Sequence, residues 1–219
     1  MNYTELSSAI QAYTENTETN FVAEIPVFVQ QAEQRIYNSV QFPSIRKNVT
    51  GTTTINNKYL QCPTDFLATY SLAVIDAAGA YEYLLNKDVN FIRQAYPTPA
   101  DTGTPKYYAL FGPRSDDPSE LTFILGPTPD AAYSSELHYY FYPPSITVSP
   151  YTSWLGDNFD IVLLYASLVE AYTYMKGETD MMALYNQKFM EALALAKRLG
   201  DGMERQDAYR SGQFRQAVT

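Results

Sequence analysis

A single cysteine, a single histidine and a single tryptophan stand in this chain of 219 residues, and each scarcity removes a class of chemistry. Cys62 alone permits no disulfide framework within the chain, and with one His no Cys/His set has zinc spacing. A Ser-His or Cys-His site would have one possible base, His138, which lies in the alternating stretch 136–142 with no partner indicated and reads as a strand-surface residue. Basic residues are few: 15 Lys and Arg stand against 24 Asp and Glu, for a formal charge of −9 and a pI near 4.6. Gripping nucleic acid by its phosphates needs clustered cations, so this balance opposes DNA capture, though not DNA passage. No stretch approaches the roughly 18 apolar residues of a membrane span. Nor does the N-terminus show a basic segment followed by an apolar run, so the expectation is a soluble protein of a reducing compartment, not exported by a signal peptide. Without a secretory signal, the glycosylation pattern Asn48-Val49-Thr50 carries no weight. Gly103, Gly112 and Gly126 occur singly near prolines and mark turns instead of a phosphate cradle. Asp116-Asp117 lacks the ordered oxygen ligands of a calcium loop and reads as a solvated acidic turn. The expectation is therefore no catalytic residue, no cofactor and no metal.

What the chain has is apolar patterning. With 46% hydrophobic residues it can bury a core as one large domain or two small ones. Its longest helical pattern lies in residues 157–199. Ile161, Leu164, Tyr165, Leu168, Tyr172 and Met175 recur at steps of three and four, which predicts one buried helix face, with Asp157 as N-cap and a stop at Lys176-Gly177. A second helix opening near Thr179-Asp180 should bury Met182, Tyr185, Phe189, Leu193, Ala196 and Leu199 and end at Gly200 and Gly202, forming an antiparallel hairpin with the first. At the other end, residues 3–13 (Leu6, Ile10, Tyr13) and 21–40 (Val29, Ala32, Ile36, Val40) also read as helices, with Pro26 placed in a first turn.

Between these ends the period shortens to two and β-branched and aromatic residues rise. Residues 49–55 and 59–62 read as a hairpin across Asn56-Asn57, and 72–75 with 81–84 as strands across Ala78-Gly79. Residues 86–93 suggest a helical turn; 107–111, 121–125 and 137–142 suggest strands, with 126–130 as the tight turn between the last two. The fold class expected is α+β: an antiparallel helical bundle from segments 1–47 and 151–200, an inserted antiparallel β domain at 48–150, and an extended C-terminal tail at 201–219. The 20 tyrosines fit either half-buried strand positions or a surface covered by another protein. The tail has too little apolar surface to fold alone. Its spaced Arg205, Tyr209, Arg210, Phe214 and Arg215 suit ordering on a partner, and a simply disordered terminus is the alternative.

Several stretches, in order, resemble the head-to-tail adaptor (neck, connector) proteins of tailed bacteriophages. They are Ile25-Pro26-Val27-Phe28-Val29 with Ala32-Glu33-Gln34-Arg35-Ile36, Leu60-Gln61-Cys62-Pro63-Thr64-Asp65-Phe66-Leu67, and Thr104-Pro105-Lys106-Tyr107-Tyr108-Ala109. Leu125-Gly126-Pro127-Thr128-Pro129-Asp130, Leu137-His138-Tyr139-Tyr140 and the helix opening from Trp154-Leu155 to Tyr165-Ala166 continue the series. The resemblance implies a structural virion protein without catalysis. Copies would form a ring, usually dodecameric, in the virion neck, made in the host bacterial cytoplasm. Its partners would be further copies, the portal protein and a tail or nozzle protein, with no membrane. DNA would pass through the channel without specific binding, and the C-terminal tail would climb along the portal. A tail-completion or tail-tube protein, and a carbohydrate-binding module stacking sugars on tyrosine, are the competing readings; an enzyme is the least supported.

Overall fold

The computed structural model describes residues 1–112 and 120–204, with side chains placed as far as Leu199. Helices α1 (Tyr3–Thr14) and α2 (Thr19–Ser39) lead through a 3₁₀ turn, Pro43–Ile45, into β1 (Arg46–Thr52). Strands β2 (Tyr59–Gln61), β3 (Ala68–Ile75), β4 (Tyr81–Tyr83) and β5 (Leu85–Asn86) precede the short helix α3 (Val89–Ala95). After β6 (Tyr107–Phe111), β7 (Thr122–Gly126) and β8 (Ser134–Tyr140) come α4 (Trp154–Asn158), α5 (Asp160–Met175) and α6 (Thr179–Glu204). Among the described residues the protein is thus mixed α+β, with six helices and two sheets. The chain divides into two compact units: Met1–Ile45 with everything from Tyr142 onward, and Arg46–Phe141.

In the helical unit α5 packs against α1, α2, α4 and α6. Helix α1 opens with a capping box in which Asn2 accepts from the Glu5 N–H and Glu5 accepts from the Asn2 N–H. It buries Leu6 and Ile10. Helix α2 starts two residues before Phe21, which places Pro26 inside the helix instead of in its first turn. Pro26 lacks an N–H, so the α2 ladder loses one rung there. Asp157 does not cap a helix: Ser153 caps α4, accepting from the Gly156 N–H, and Asp157 lies within α4. The chain breaks at Phe159 before α5 begins.

The face of α5 that is buried differs from the expected stripe. Val162, Leu163, Ala166, Ser167, Leu168 and Ala171 are buried, whereas Ile161 is 59% exposed and of the predicted six only Leu168 is fully covered. Packing several helices around one favours small residues at the points of closest approach, which a search for large apolar residues passes over. The Ser167 hydroxyl, fully buried, donates to the Leu163 carbonyl. Lys176 ends α5 in the left-handed conformation at φ 53°. Helix α6 buries Tyr185, Phe189, Leu193 and Ala196 but runs through Gly200 and Gly202 to Glu204. Glycine lowers helix propensity by about 1 kcal/mol without forbidding helical angles, and no proline follows to force a stop.

The β unit holds two four-stranded sheets, ordered β1-β8-β3-β4 and β2-β7-β6-β5. The expected hairpin of 49–55 with 59–62 does not form: β1 pairs with β8 and β2 with β7, each antiparallel, in different sheets. Thr53 diverts the chain, its buried hydroxyl accepting from the Tyr133 N–H at 2.9 Å while its own N–H donates to the Tyr133 carbonyl. Nor is 126–130 a tight turn between paired strands, because β7 and β8 lie in different sheets. The β3–β4 hairpin closes across Gly79, at φ 83°, where glycine's freedom is needed. Leu72, Val74, Tyr108, Phe123, Leu125, Leu137 and Tyr139 fill the shared core, each large side chain stabilising by roughly 1.5–3 kcal/mol. Helix α3 covers the other face of the second sheet through Ile92, Ala109 and Ile124. Sequence alternation is weak in β7 because both its faces are buried.

Candidate interaction surfaces

The titratable side chains best held in place have structural partners. Asp65 accepts from the Lys47 ammonium and from the Tyr139 hydroxyl, both at 2.8 Å. Burial pushes the Asp65 carboxyl up, but the bonds from Lys47 and Tyr139 outweigh it and hold the group below its usual range. The arrangement pins the turn after β2 to both β1 and β8. Cys62 is buried, and desolvation pushes its thiol up to about 12, so at neutral pH it carries almost no thiolate and is a poor nucleophile. In the helical unit the Glu33 carboxylate, 3% exposed, accepts the Ile146 N–H at 3.0 Å. Desolvation raises its pKa, opposed by the bonds from Ser145 and Ile146. It fastens the segment following the β unit onto α2. Among the described residues, no three His, Cys, Asp or Glu side chains are grouped to hold a metal ion. Among the same residues no helix is long and apolar enough to cross a membrane.

His138 lies on the outward face of the first sheet, with Nε2 3.0 Å from the Glu136 carboxylate. Around it that face is aromatic. Tyr70, Tyr81 and Tyr83 are exposed, the rings of Tyr81 and Tyr83 stack at 6.1 Å, and the Arg46 guanidinium lies over Tyr70 at 5.1 Å. Tyr108, Tyr139 and Tyr185, by contrast, are buried. Tyrosine thus stands both in the core and at the surface, and the alternation of β8 separates buried Tyr139 from half-buried Tyr140 along one strand. Where β1 and β2 form the neighbouring edges of the two sheets, a groove of about 760 Å³ opens, lined by Gly51, Thr52, Tyr59, Leu60, Phe111 and Thr122.

The helical unit exposes a second kind of surface. Leu184, Leu195 and Leu199 on α6 and Val27 on α2 are all exposed. Leu199, expected in the buried stripe of the second helix, is instead at the surface and Met182 is only half-buried, while Leu184, Leu195 and Val27 fell outside the expected stripes. The five tail residues singled out from sequence, Arg205, Tyr209, Arg210, Phe214 and Arg215, lie outside the described residues, as do Asp116 and Asp117.

No curated protein matches the chain. The family model described as SU10 adaptor protein matches residues 1–216. With that match spanning nearly its whole length, the chain belongs to the SU10 adaptor protein family, a family of phage head-to-tail adaptors.

Proposed function

We propose that this protein is a non-enzymatic neck component whose copies form a ring, dodecameric in the usual manner, between the portal of the DNA-filled head and the tail. The family match over residues 1–216 carries the reading. Large apolar side chains left at the surface of the helical unit support it, because exposed Leu and Val at helical spacing are what subunit contact would cover. In this reading the helical segments, 1–47 and 151–200, lie against the portal and neighbouring copies, and the β insertion, 48–150, presents its surfaces to the next tail component. The tail from 201 onward, with Arg205, Tyr209, Arg210, Phe214 and Arg215, docks along the portal, where Arg and aromatic side chains supply most contact energy. The net charge of −9 suits a conduit that DNA traverses without being held.

The test is to mix the full chain with the portal ring of its own phage and weigh the product by native mass spectrometry, beside a truncation ending at Glu204. A ring-sized complex formed by the full chain and lost in the truncation supports both the adaptor role and the docking tail. If the full chain ignores the portal, the adaptor reading fails and a tail-completion role replaces it.

A further inference from the structure

On the adaptor reading, on which this inference rests, we propose that neighbouring copies join through their first sheets, the edge of β4 on one copy pairing antiparallel with the edge of β1 on the next. In the order β1-β8-β3-β4 each of these strands has a partner on one side only. An edge of this kind is a template for another strand. Which backbone groups point outward follows from the bonds already made, because successive residues of an antiparallel strand direct their N–H and C=O to opposite sides. Thr53 donates to the Tyr133 carbonyl at 2.9 Å, in step with the pairing of Thr52 and Ser134, so Lys47, Val49 and Gly51 face β8. Asn48 and Thr50 therefore turn their N–H and C=O away from it. On β4, Ala80 accepts from the Asp76 N–H and Leu84 donates to the Leu72 carbonyl. That puts Glu82 on the β3 side and turns the backbone groups of Tyr81 and Tyr83 outward. The side chains of Asn48, Thr50, Tyr81, Glu82 and Tyr83 are all exposed.

Direction and charge identify a second copy as the occupant. Strand β1 is antiparallel to β8, β8 to β3 and β3 to β4, so β1 and β4 run in opposite senses within one copy. The small rotation between neighbours in a many-membered ring preserves those senses, and β4 of one copy meets β1 of the next antiparallel. Strand β1 carries Arg46 and Lys47 and no acid, whereas β4 carries Glu82 and no base. Like edges therefore repel and unlike edges attract. We set Tyr81 opposite Thr50, Glu82 opposite Val49 and Tyr83 opposite Asn48. The first and last of these pairs bring together outward-pointing backbone groups, which exchange N–H···O bonds. Their side chains also share a face: Asn48 and Thr50 lie beside His138 and Glu136, and Tyr83 lies beside Ala73, itself opposite Glu136. Glu82 falls diagonal to Lys47, within reach of two long side chains. Lys47 already bonds Asp65 at 2.8 Å but is 48% exposed. A slip of two residues one way sets Tyr83 against the first residue of β1, and a slip of two the other way takes Glu82 out of reach of Lys47. Because the two edges differ, the contact is heterologous, the type that generates a ring when its rotation closes.

Two variants of the full chain test the contact in the complex assembled on the portal. In Val49→Cys with Glu82→Cys, mild oxidation should link successive copies into a ladder of covalent multimers on a denaturing gel, with Cys62 buried and silent. Within one copy the two positions stand on strands three steps apart, roughly 14 Å at ~4.8 Å per strand, too far for an internal disulfide. Each single variant should stay monomeric on the gel. Thr50→Pro removes an outward N–H and leaves the bonds to β8 in place, a position where an edge strand accepts proline. It should reduce ring formation about tenfold, read by native mass spectrometry. Circular dichroism of the free variants checks that each is folded. If the double variant assembles a ring on the portal and gives no ladder, or Thr50→Pro folds and assembles as well as wild type, the inference is overturned and the adaptor reading stands. A wild type that forms no ring on the portal removes both.

Discussion

Both units bury a core and both leave large apolar side chains at the surface, yet they build their closest packing from different residues. In the β unit Phe123, Leu125, Leu72 and Tyr139 are at most 1% exposed, and the polar groups around them, such as Asp65 with Lys47 and Tyr139, are paired within the unit. In the helical unit much of the closest packing around α5 uses Ala166, Ser167 and Ala171, while Ile161, Leu195 and Leu199 face outward. Large rings that interlock leave little room to adjust, whereas small residues let helices approach closely around α5.

The comparison breaks first at the β core. Phe123→Ala should cost about 3–5 kcal/mol, read as a fall in the urea midpoint, because Phe66 and Tyr108 both pack on that ring at 5.5 Å and cannot fill the space. Asp65→Ala should cost about 1–3 kcal/mol, mostly by stranding the Tyr139 hydroxyl; the Lys47 pair, nearly half exposed on the lysine side, adds little. The folded-state pKa of Asp65 is lowered, so its contribution is complete above the unfolded-state value, about 4, and is lost as pH falls through the folded value. Denaturation at pH 6 and at pH 3 should therefore show a smaller wild-type-to-variant gap at the lower pH.

Glu33 sharpens the contrast with the opposite sign. Its folded pKa is raised, chiefly by burial, so protonation favours the folded state and stability gains as pH falls from neutrality towards the unfolded value, near 4.3. Glu33→Gln keeps an acceptor for the Ile146 N–H and removes the charge. The variant should be at least as stable as wild type at pH 7 and should lose that rise, as a series of melting temperatures from pH 7 to pH 5 would show. Leu195→Ala should move the stability of the free chain by less than about 0.5 kcal/mol, since two-thirds of the side chain is already exposed. A larger loss would mean that the α6 face is part of the unit's own core.

Element type was legible in the residues wherever one face repeats cleanly. Leu6 and Ile10 mark α1, the left-handed stop at Lys176 separates α5 from α6, and the alternation of β8 divides Leu137 and Tyr139 from Glu136, His138 and Tyr140. Strand partners were not legible, because pairing across sheets depends on contacts between residues far apart in the chain, such as Thr53 with Tyr133. The start of α2 was misread because nothing marks it strongly: Glu18 precedes it without a side-chain cap bond. The α6 ending was misread because glycine only permits a stop. As for the surfaces, a pattern of apolar spacing cannot say whether a face is covered by its own chain or by another.

The short run from β4 through Leu84 to β5 belongs to both sheets at once. Leu84 donates its N–H to the Leu72 carbonyl in the first sheet, and the next residue, Leu85, donates to the Lys106 carbonyl in the second. Under a force that slides one sheet over the other, this seam acts as a strap: both bonds and the covalent chain resist together. Among the described residues the β1–β2 side has no strand shared between the sheets; there Thr53 and Asn56 bond to Tyr133 and Pro129 in the connection between β7 and β8. A pulling experiment that slides the sheets should find the Tyr81–Asn86 seam resisting with the covalent chain and both bonds at once.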